Sequence, residues 1–355
     1  MLGPLSYQST AAMLAAFFLA LFLVPVLRRP AEHIGLVDRP GGRKRHACVV
    51  PLIGGLAMFG GFAAGLMMVD EGLRPYASLL VGMGLMLMIG VIDDLIDISA
   101  SAKLFAQVVA AVLMVSWGEV QIHSLGNLVA VKPIEVGEWA IPFTVLCTLI
   151  LINGINMADG TDGLAGGLSA VALLMLLIAG ILGEASRSFV GVTGVLLASV
   201  VAFLCFNLRV PGRRYATVFM GDSGSMMLGF ALAWLAVYLS QLEQVSIYPV
   251  TIAWILVLPV LDVLTLYIRR IAKGRSPFSA DREHLHHVLL RSGFSVTWTV
   301  WSLMGVMAVL GGIGLYGWRQ GWPEYWLFVG LIPLFVLQYL CSVRAWRVMR
   351  FLKRG

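Results

Sequence analysis

The chain has 355 residues, of which 59% are hydrophobic and only 12% charged, and it carries a formal net charge of +6 with a mean hydropathy of +0.89. Soluble domains keep about a quarter of their residues charged, so a water-soluble fold is excluded, and with it the two-domain layout that length alone would suggest. The four cysteines, Cys48, Cys147, Cys205 and Cys341, lack metal-type spacing and sit in or beside apolar runs as small hydrophobes do, which argues against a disulfide framework or a zinc site.

Taken in order, the apolar runs predict an all-α, polytopic integral membrane protein. Allowing about 20 apolar residues per span, eleven transmembrane helices are expected, centred near residues 17, 59, 84, 109, 148, 173, 198, 232, 257, 307 and 333. The first run has no basic n-region and no small-residue cleavage site, so it reads as a retained span. Basic residues then partition by side. One side receives Arg28, Arg29, Arg39, Arg43, Lys44 and Arg45, then Lys103, then Arg209, Arg213 and Arg214, then six from Arg269 to Arg291, then five from Arg344 to Arg354. The other receives only Arg74, Lys132, Arg187 and Arg319. The positive-inside rule makes the first side cytoplasmic, with the N-terminus outside and the C-terminus in the cytoplasm. Residues 1–355 read as a single transmembrane catalytic domain whose active-site loops lie near 28–50, 93–103, 153–167, 207–225 and 268–297.

The polar motifs fall on that same side. Val37 to His46, leading to Pro51 and Gly54-Gly55, is a basic loop that topology alone would also explain. Ile92-Asp-Asp-Leu-Ile-Asp97 ends the third helix with Asp93 and Asp97 on one face and Asp94 about 100° round; like charges so spaced repel unless a cation lies between them. Such a DDxxD run suits a Mg²⁺-pyrophosphate site or a merely solvated helix end. Lys103, at the mouth of the next helix, can reach phosphate or snorkel to the interface.

Asn153 to Gly167 is a glycine-rich polar hinge between two apolar runs. Asn153, Asn156, Asp159 and Asp162 recur every three residues, so a helical path would bring all four to nearby faces. Polar groups at such a depth are costly without a partner, a metal or a water-filled cavity; a plain turn is the simpler alternative. Phe219-Met-Gly-Asp-Ser-Gly-Ser225 opens the eighth helix with an Asp for metal and amides that favour anions, or with an ordinary N-cap. Asp262, inside an apolar run, is expected to be a structural carboxylate paired with Arg269 or Arg270. Last comes a long basic loop ending in His284-Leu-His-His287. Its imidazoles lack the cysteines of a zinc site and suit hydrogen bonds to phosphate or sugar oxygens, with Arg270 and Arg282 as charge partners; a solvated amphipathic helix is the alternative. Acidic clusters rimmed by Arg and Lys suit a divalent cation together with a phosphorylated substrate.

Together, Asp38 to Gly55, Asp93-Asp94, Asn153 to Gly167, Gly221 to Ser225 and His284 to His287 resemble, in order, the five motifs of the polyprenyl-phosphate N-acetylhexosamine-1-phosphate transferases, the family of WecA, TagO and MraY. The resemblance covers about residues 35 to 295. Ser276-Pro-Phe-Ser279, Asp281-Arg282 and the His-Leu-His-His pattern are closer to the WecA branch than to MraY, whose motif is usually three adjacent histidines. The resemblance implies transfer of N-acetylglucosamine-1-phosphate from UDP-GlcNAc to undecaprenyl phosphate, giving a lipid pyrophosphate sugar and UMP and initiating a cell-envelope polysaccharide. Another UDP-HexNAc donor is the alternative, and a transporter the competing class. It also implies Mg²⁺ or Mn²⁺, a bacterial inner-membrane location, UDP-sugar, undecaprenyl phosphate and membrane lipid as partners with no nucleic acid, and leaves room for a homodimer. Carried over by position, Asp222 and Asn156 would hold the metal with Asp94 nearby. Asp93 would orient or deprotonate the lipid phosphate, and Asp159 joins Asp93, Asp94 and Lys103 as a catalytic candidate. Lys103 and Arg270 would bind phosphates, Asp162 would meet uracil, and His284, His286, His287, Arg282, Lys44 and His46 would engage substrate.

Overall fold

The computed structural model describes residues 6–39, 49–69, 74–242, 247–274 and 284–344. Helices dominate them: α1 (Tyr7–Ile34), α2 (Gly54–Leu66), α3 (Ala77–Ile96), α4 (Ala100–Ser116), α5 (Ala140–Ala158), α6 (Leu164–Leu182), α7 (Arg187–Asn207), α8 (Gly221–Gln241), α9 (Pro249–Ile255), α10 (Val257–Ala272), α11 (Leu285–Arg291), α12 (Val296–Arg319) and α13 (Glu324–Val343). A small antiparallel pair, β1 (Val37–Asp38) with β2 (Val50–Pro51), is an addition to the expected all-α fold; its register sets Val37 against Pro51 and Asp38 against Val50. Each of the eleven expected centres falls within one of these helices.

Among the described residues eight helices are long and apolar enough to cross a membrane, and α9 with α10 makes a ninth only if the two count as one span across an 83° bend. Helices α2 and α4 are apolar but shorter, 13 and 17 residues. The chain is a multi-pass membrane protein. Local chemistry sets several helix ends: Ser6, Ser99, Ser186 and Ser295 each accept a backbone amide at the starts of α1, α4, α7 and α12. Gly35 closes α1 in the left-handed region at φ 80°. At the bend, Pro259 has no N–H to give the Ile255 carbonyl, which favours a break there.

Helix α8 is the axis of the bundle. In its most apolar window 89% of residues are buried, against 11% in α13 at the periphery, and α2, α3, α5 and α6 pack around it. Small residues make the contact close, as in membrane bundles generally. A Cβ on Gly90 of α3 would come 2.2 Å from the Ser223 Cα, one on Gly55 of α2 would lie 2.6 Å from the Gly224 nitrogen, and one on Gly229 would lie 2.5 Å from the Ile152 Cα of α5. The start of α8 is thereby held against the ends of α2 and α3. The Phe219 amide donates to the Pro51 carbonyl at 3.0 Å and the Gly54 amide to the Phe219 carbonyl at 3.0 Å, which locks β2 to the segment entering α8.

Candidate active site

The ends of α3 and α7, the turn between α5 and α6, β1 and β2, the start of α8 with the segment entering it, and α11 surround a cavity of about 1360 Å³ at one end of the bundle. Its wall includes Asp93, Asp94, Asp97, Asp159, Asp162, Asp222, Arg209, His287 and Arg291. Motifs far apart in sequence thus meet in one place.

Lys103 is the hub. Its Nζ donates to Asp93 Oδ2 at 2.7 Å and to Asp222 Oδ2 at 3.2 Å, joining α4 to α3 and α8. The Asp93 side chain is only 5% exposed while that of Asp222 is 33% exposed, so of these two wall residues Asp222 is the more open to the cavity. Asp93 also accepts the Ile98 amide through Oδ1 at 3.0 Å, which fixes the turn after α3. Asn156 Nδ2 donates to Asp222 Oδ1 at 3.0 Å and to Ser225 Oγ at 2.9 Å. Asp94 caps α8: its two oxygens accept the amides of Asp222 at 3.0 Å and Ser223 at 3.3 Å, a charge-assisted use of the helix's positive end. Gly221 permits this, because it adopts φ +73° and any Cβ there would stand 2.5 Å from Asp94 Oδ2.

Asp159 sits in the turn between α5 and α6 and receives no hydrogen bond to its side chain from the described residues. Burial, then the carboxylates of Asp222, Asp94 and Asp162, pushes its carboxyl well above the usual range. Asp162, by contrast, is paired: Oδ2 accepts from Arg209 Nε at 2.8 Å and from the Ala216 amide at 3.1 Å, and the Arg209 guanidinium lies 5.2 Å over the Tyr215 ring. Asn207 braces the same corner, accepting the Gly163 amide at 2.8 Å and donating to the Val218 carbonyl at 2.8 Å.

The histidines cluster beside Asp159. His286 and His287 have ring centroids 4.2 Å apart, and His284 and His286 lie 5.5 Å apart and nearly parallel. A Cβ on Gly160 would come within 3.5 Å of His286 Nε2. Burial, with His287 and His284 adding to it, lowers the His286 imidazole to about 3, so it is neutral at physiological pH.

Several expectations need correction. The four residues at three-residue steps do not all converge: α5 ends at Ala158, and Asn153 turns away to donate to Gln107 Oε1 at 2.9 Å and the Leu149 carbonyl at 2.8 Å, while Asn156, Asp159 and Asp162 reach the site. Asp97 does not share a helical face with Asp93; it terminates α3 at φ 52°. Asp262 pairs with His284 Nδ1 at 2.8 Å in place of Arg269 or Arg270, because the bent α10 aims it at α11; Arg269 donates to the Ser342 carbonyl and hydroxyl of α13. Arg270 is buried and is not on the cavity wall. Lys44, His46 and Arg282 lie outside the described residues. Sequence reasoning did not single out Arg209, Asn207, Tyr215 or Arg291. The signal available was a polar residue at the end of an apolar run, Asn207 and Arg209 after α7, which positive-inside counting treats as topology only.

The oxygen-rich donor set suits a hard divalent cation. Among the described residues no three acidic or sulfur or imidazole groups form a ready cage. The fit is one of charge and donor type: Asp94, Asp159, Asp162 and Asp222 stand close enough to raise the Asp159 carboxyl together, while Lys103 and Arg209 are the ammonium and guanidinium bonded among them.

The profile of glycosyl transferase family 4 matches residues 76–240, from α3 to the end of α8. Similarity to individual proteins runs further. The undecaprenyl-phosphate alpha-N-acetylglucosaminyl 1-phosphate transferase of Yersinia pestis is 34% identical over 343 residues, 95% of this chain and 92% of that protein. Proteins of the same name from Escherichia coli K12 and Haemophilus influenzae are 35% and 36% identical, over 98% and 96% of this chain and 94% and 97% of their own lengths.

Proposed function

This chain belongs to glycosyl transferase family 4, and on that premise we propose how its polar end works: it transfers N-acetylglucosamine-1-phosphate from UDP-GlcNAc to undecaprenyl phosphate, giving undecaprenyl-pyrophosphoryl-GlcNAc and UMP. The observation that carries the reading is that Lys103 and Asn156 bond to Asp93 and Asp222, two carboxylates on the wall of a cavity at one end of an apolar bundle. A lipid-borne phosphate and a soluble nucleotide need such a place, polar and open to water but set where helices leave the bilayer. The basic-residue partition supports a reading in which that end faces the cytoplasm, and the membrane in this reading is the inner membrane of a bacterium.

The chemistry exchanges one pyrophosphate linkage for another. An oxygen of the lipid phosphate attacks the sugar-bearing phosphorus of the donor, the bond from that phosphorus to the bridging oxygen breaks, and UMP leaves. Catalysis is then chiefly positioning and charge neutralisation. Asp222, with Asn156 and with Asp94 and Asp159 close by, would hold Mg²⁺ or Mn²⁺. Such an ion supplies positive charge to the phosphate oxygens as they crowd together. Asp93 takes the last proton of the lipid phosphate or orients it, with Lys103 between Asp93 and Asp222 neutralising phosphate charge. Asp162 and Arg209 form a donor and acceptor pair for the uracil edge, and α11 presents His287 and Arg291 to the donor.

The test is mass spectrometry of the lipid product after purified protein in detergent, with no gradient, receives undecaprenyl phosphate and a panel of UDP-sugars. A product heavier by one HexNAc-phosphate with UDP-GlcNAc, and none with UDP-MurNAc-pentapeptide, is expected. Equal turnover of both donors, or no lipid product from any, overturns the assignment. A transporter would fail this assay outright.

A further inference from the structure

Helix α11 spans only Leu285–Arg291, far below the length at which a helix holds its own shape in water. What anchors its start is a carboxylate from another helix. Asp262, on α10 just past the bend, accepts from His284 Nδ1 through Oδ2 at 2.8 Å; through Oδ1 it accepts from the Leu285 amide at 3.2 Å and from Gln338 Nε2 of α13 at 3.0 Å. The carboxylate can only accept, so His284 carries its proton on Nδ1. It also takes one of the orphan amides at the start of α11. From His284 the contacts continue through the near-parallel ring of His286 to His287, which faces the cavity. An Asp within an apolar helix is costly unless it meets specific partners. Among the described residues its three partners lie at the start of α11 and on α13.

We propose that Asp262 is a positioning residue for the transfer reaction: it sets where α11 presents His287 and Arg291 to the nucleotide-sugar, and Gln338 holds Asp262 in place for that. The inference rests on the reading that α11 engages the donor. Its physical content is that a misplacement of about 1 Å in a substrate-holding group costs on the order of 100-fold in rate. A carboxylate that merely joined α10 to α13 would instead affect both substrates alike through stability.

The test uses the full chain in detergent with UDP-GlcNAc and undecaprenyl phosphate, separating kcat from the KM of each substrate. Asp262→Asn keeps an oxygen for Leu285 but turns an amide against His284. Its donor kcat/KM should fall about 30-fold or more, with the lipid KM within about two-fold of wild type and the melting temperature little changed. His284→Ala should lose as much, and the double variant no more than either single one, because both act through one contact. Gln338→Leu should lose a few-fold. Wild-type donor kinetics in Asp262→Asn, equal loss for both substrates with a lowered melting temperature, or losses that multiply in the double variant would each overturn the proposal. His287→Ala and Arg291→Ala separate the two levels. If both leave donor kinetics unchanged, the donor reading of α11 falls and this inference with it; if they are impaired while Asp262→Asn is not, only the inference falls.

Discussion

The two halves of α8 treat polar groups in opposite ways. Towards its C-terminal end Trp234 Nε1 donates to Ser78 Oγ at 3.0 Å, its ring stacks on Tyr238 with centroids 4.8 Å apart, and Tyr76 meets Ser188 at 2.8 Å. Those groups are neutral, buried and matched to partners, so they hold α3, α7 and α8 together at little electrostatic cost. At the N-terminal end, some 20 Å away by helix geometry, Asp222 sits within reach of Asp93, Asp94 and Asp159 with Lys103 between. A fold has no need of that surplus of carboxylates. Clustered like charges destabilise the unliganded protein and are retained where a cation or a phosphate group completes them.

The sharpest way to break this contrast is Asp222→Ala. Transfer should drop about 1,000-fold or more, with a modestly lowered melting temperature, since Lys103 and Asn156 lose the carboxylate they both donate to; wild-type turnover and metal dependence would move the metal site elsewhere. Asp159→Asn should cost about 100-fold in kcat/KM and stabilise the free protein. The sign follows from a folded-state carboxyl raised above its unfolded value: its contribution is fully present at acid pH and is lost as pH rises, so towards neutral pH the acid costs the fold stability that the amide does not. A lowered melting temperature in Asp159→Asn would contradict the surplus-charge account.

Asp93→Asn tests a subtler distinction. The second pKa of a phosphate monoester is about 6, so the lipid phosphate gives up its last proton unaided as pH rises. If Asp93 is the base, the variant should be down on the order of 30-fold near pH 6 and recover towards wild type near pH 8.5. Lost placement of Lys103, which Asp93 holds at 2.7 Å, would not be restored by alkali, so a flat mutant-to-wild-type ratio of kcat/KM for the lipid leaves Asp93 a positioning residue. The smallest effect is expected at the other end. Trp234→Phe leaves the buried Ser78 hydroxyl without its donor and should cost about 1 kcal/mol of stability, read as a lower melting temperature with transfer unchanged. Loss of activity there would mean that the two ends of α8 are coupled.

Much of this protein was legible before folding was considered. Run lengths of apolar residues identify a multi-pass helical protein, because a bilayer fixes the length a helix needs, and each expected helix centre does fall in a helix. Asp93, Asp94, Asn156, Asp159, Asp162 and Asp222 were legible as a set because polar residues at the ends of apolar runs have few structural reasons to be there. Pairing was not. That Lys103 bridges Asp93 and Asp222, that Asn153 turns to Gln107 while Asn156 reaches Asp222, and that Asp162 takes Arg209 depend on how helices cross and rotate about α8. Asp262 marks the boundary most clearly. Its neighbours in sequence, Arg269 and Arg270, were the expected partners, but an 83° bend at Leu256, before Asp262 on the same helix pair, points it at His284 and Gln338. Composition and periodicity act along the chain and fix which segments become helices; the partner of a buried side chain is chosen across helices, by backbone approach at Gly55, Gly90 and Gly229 and by the direction each helix leaves its break.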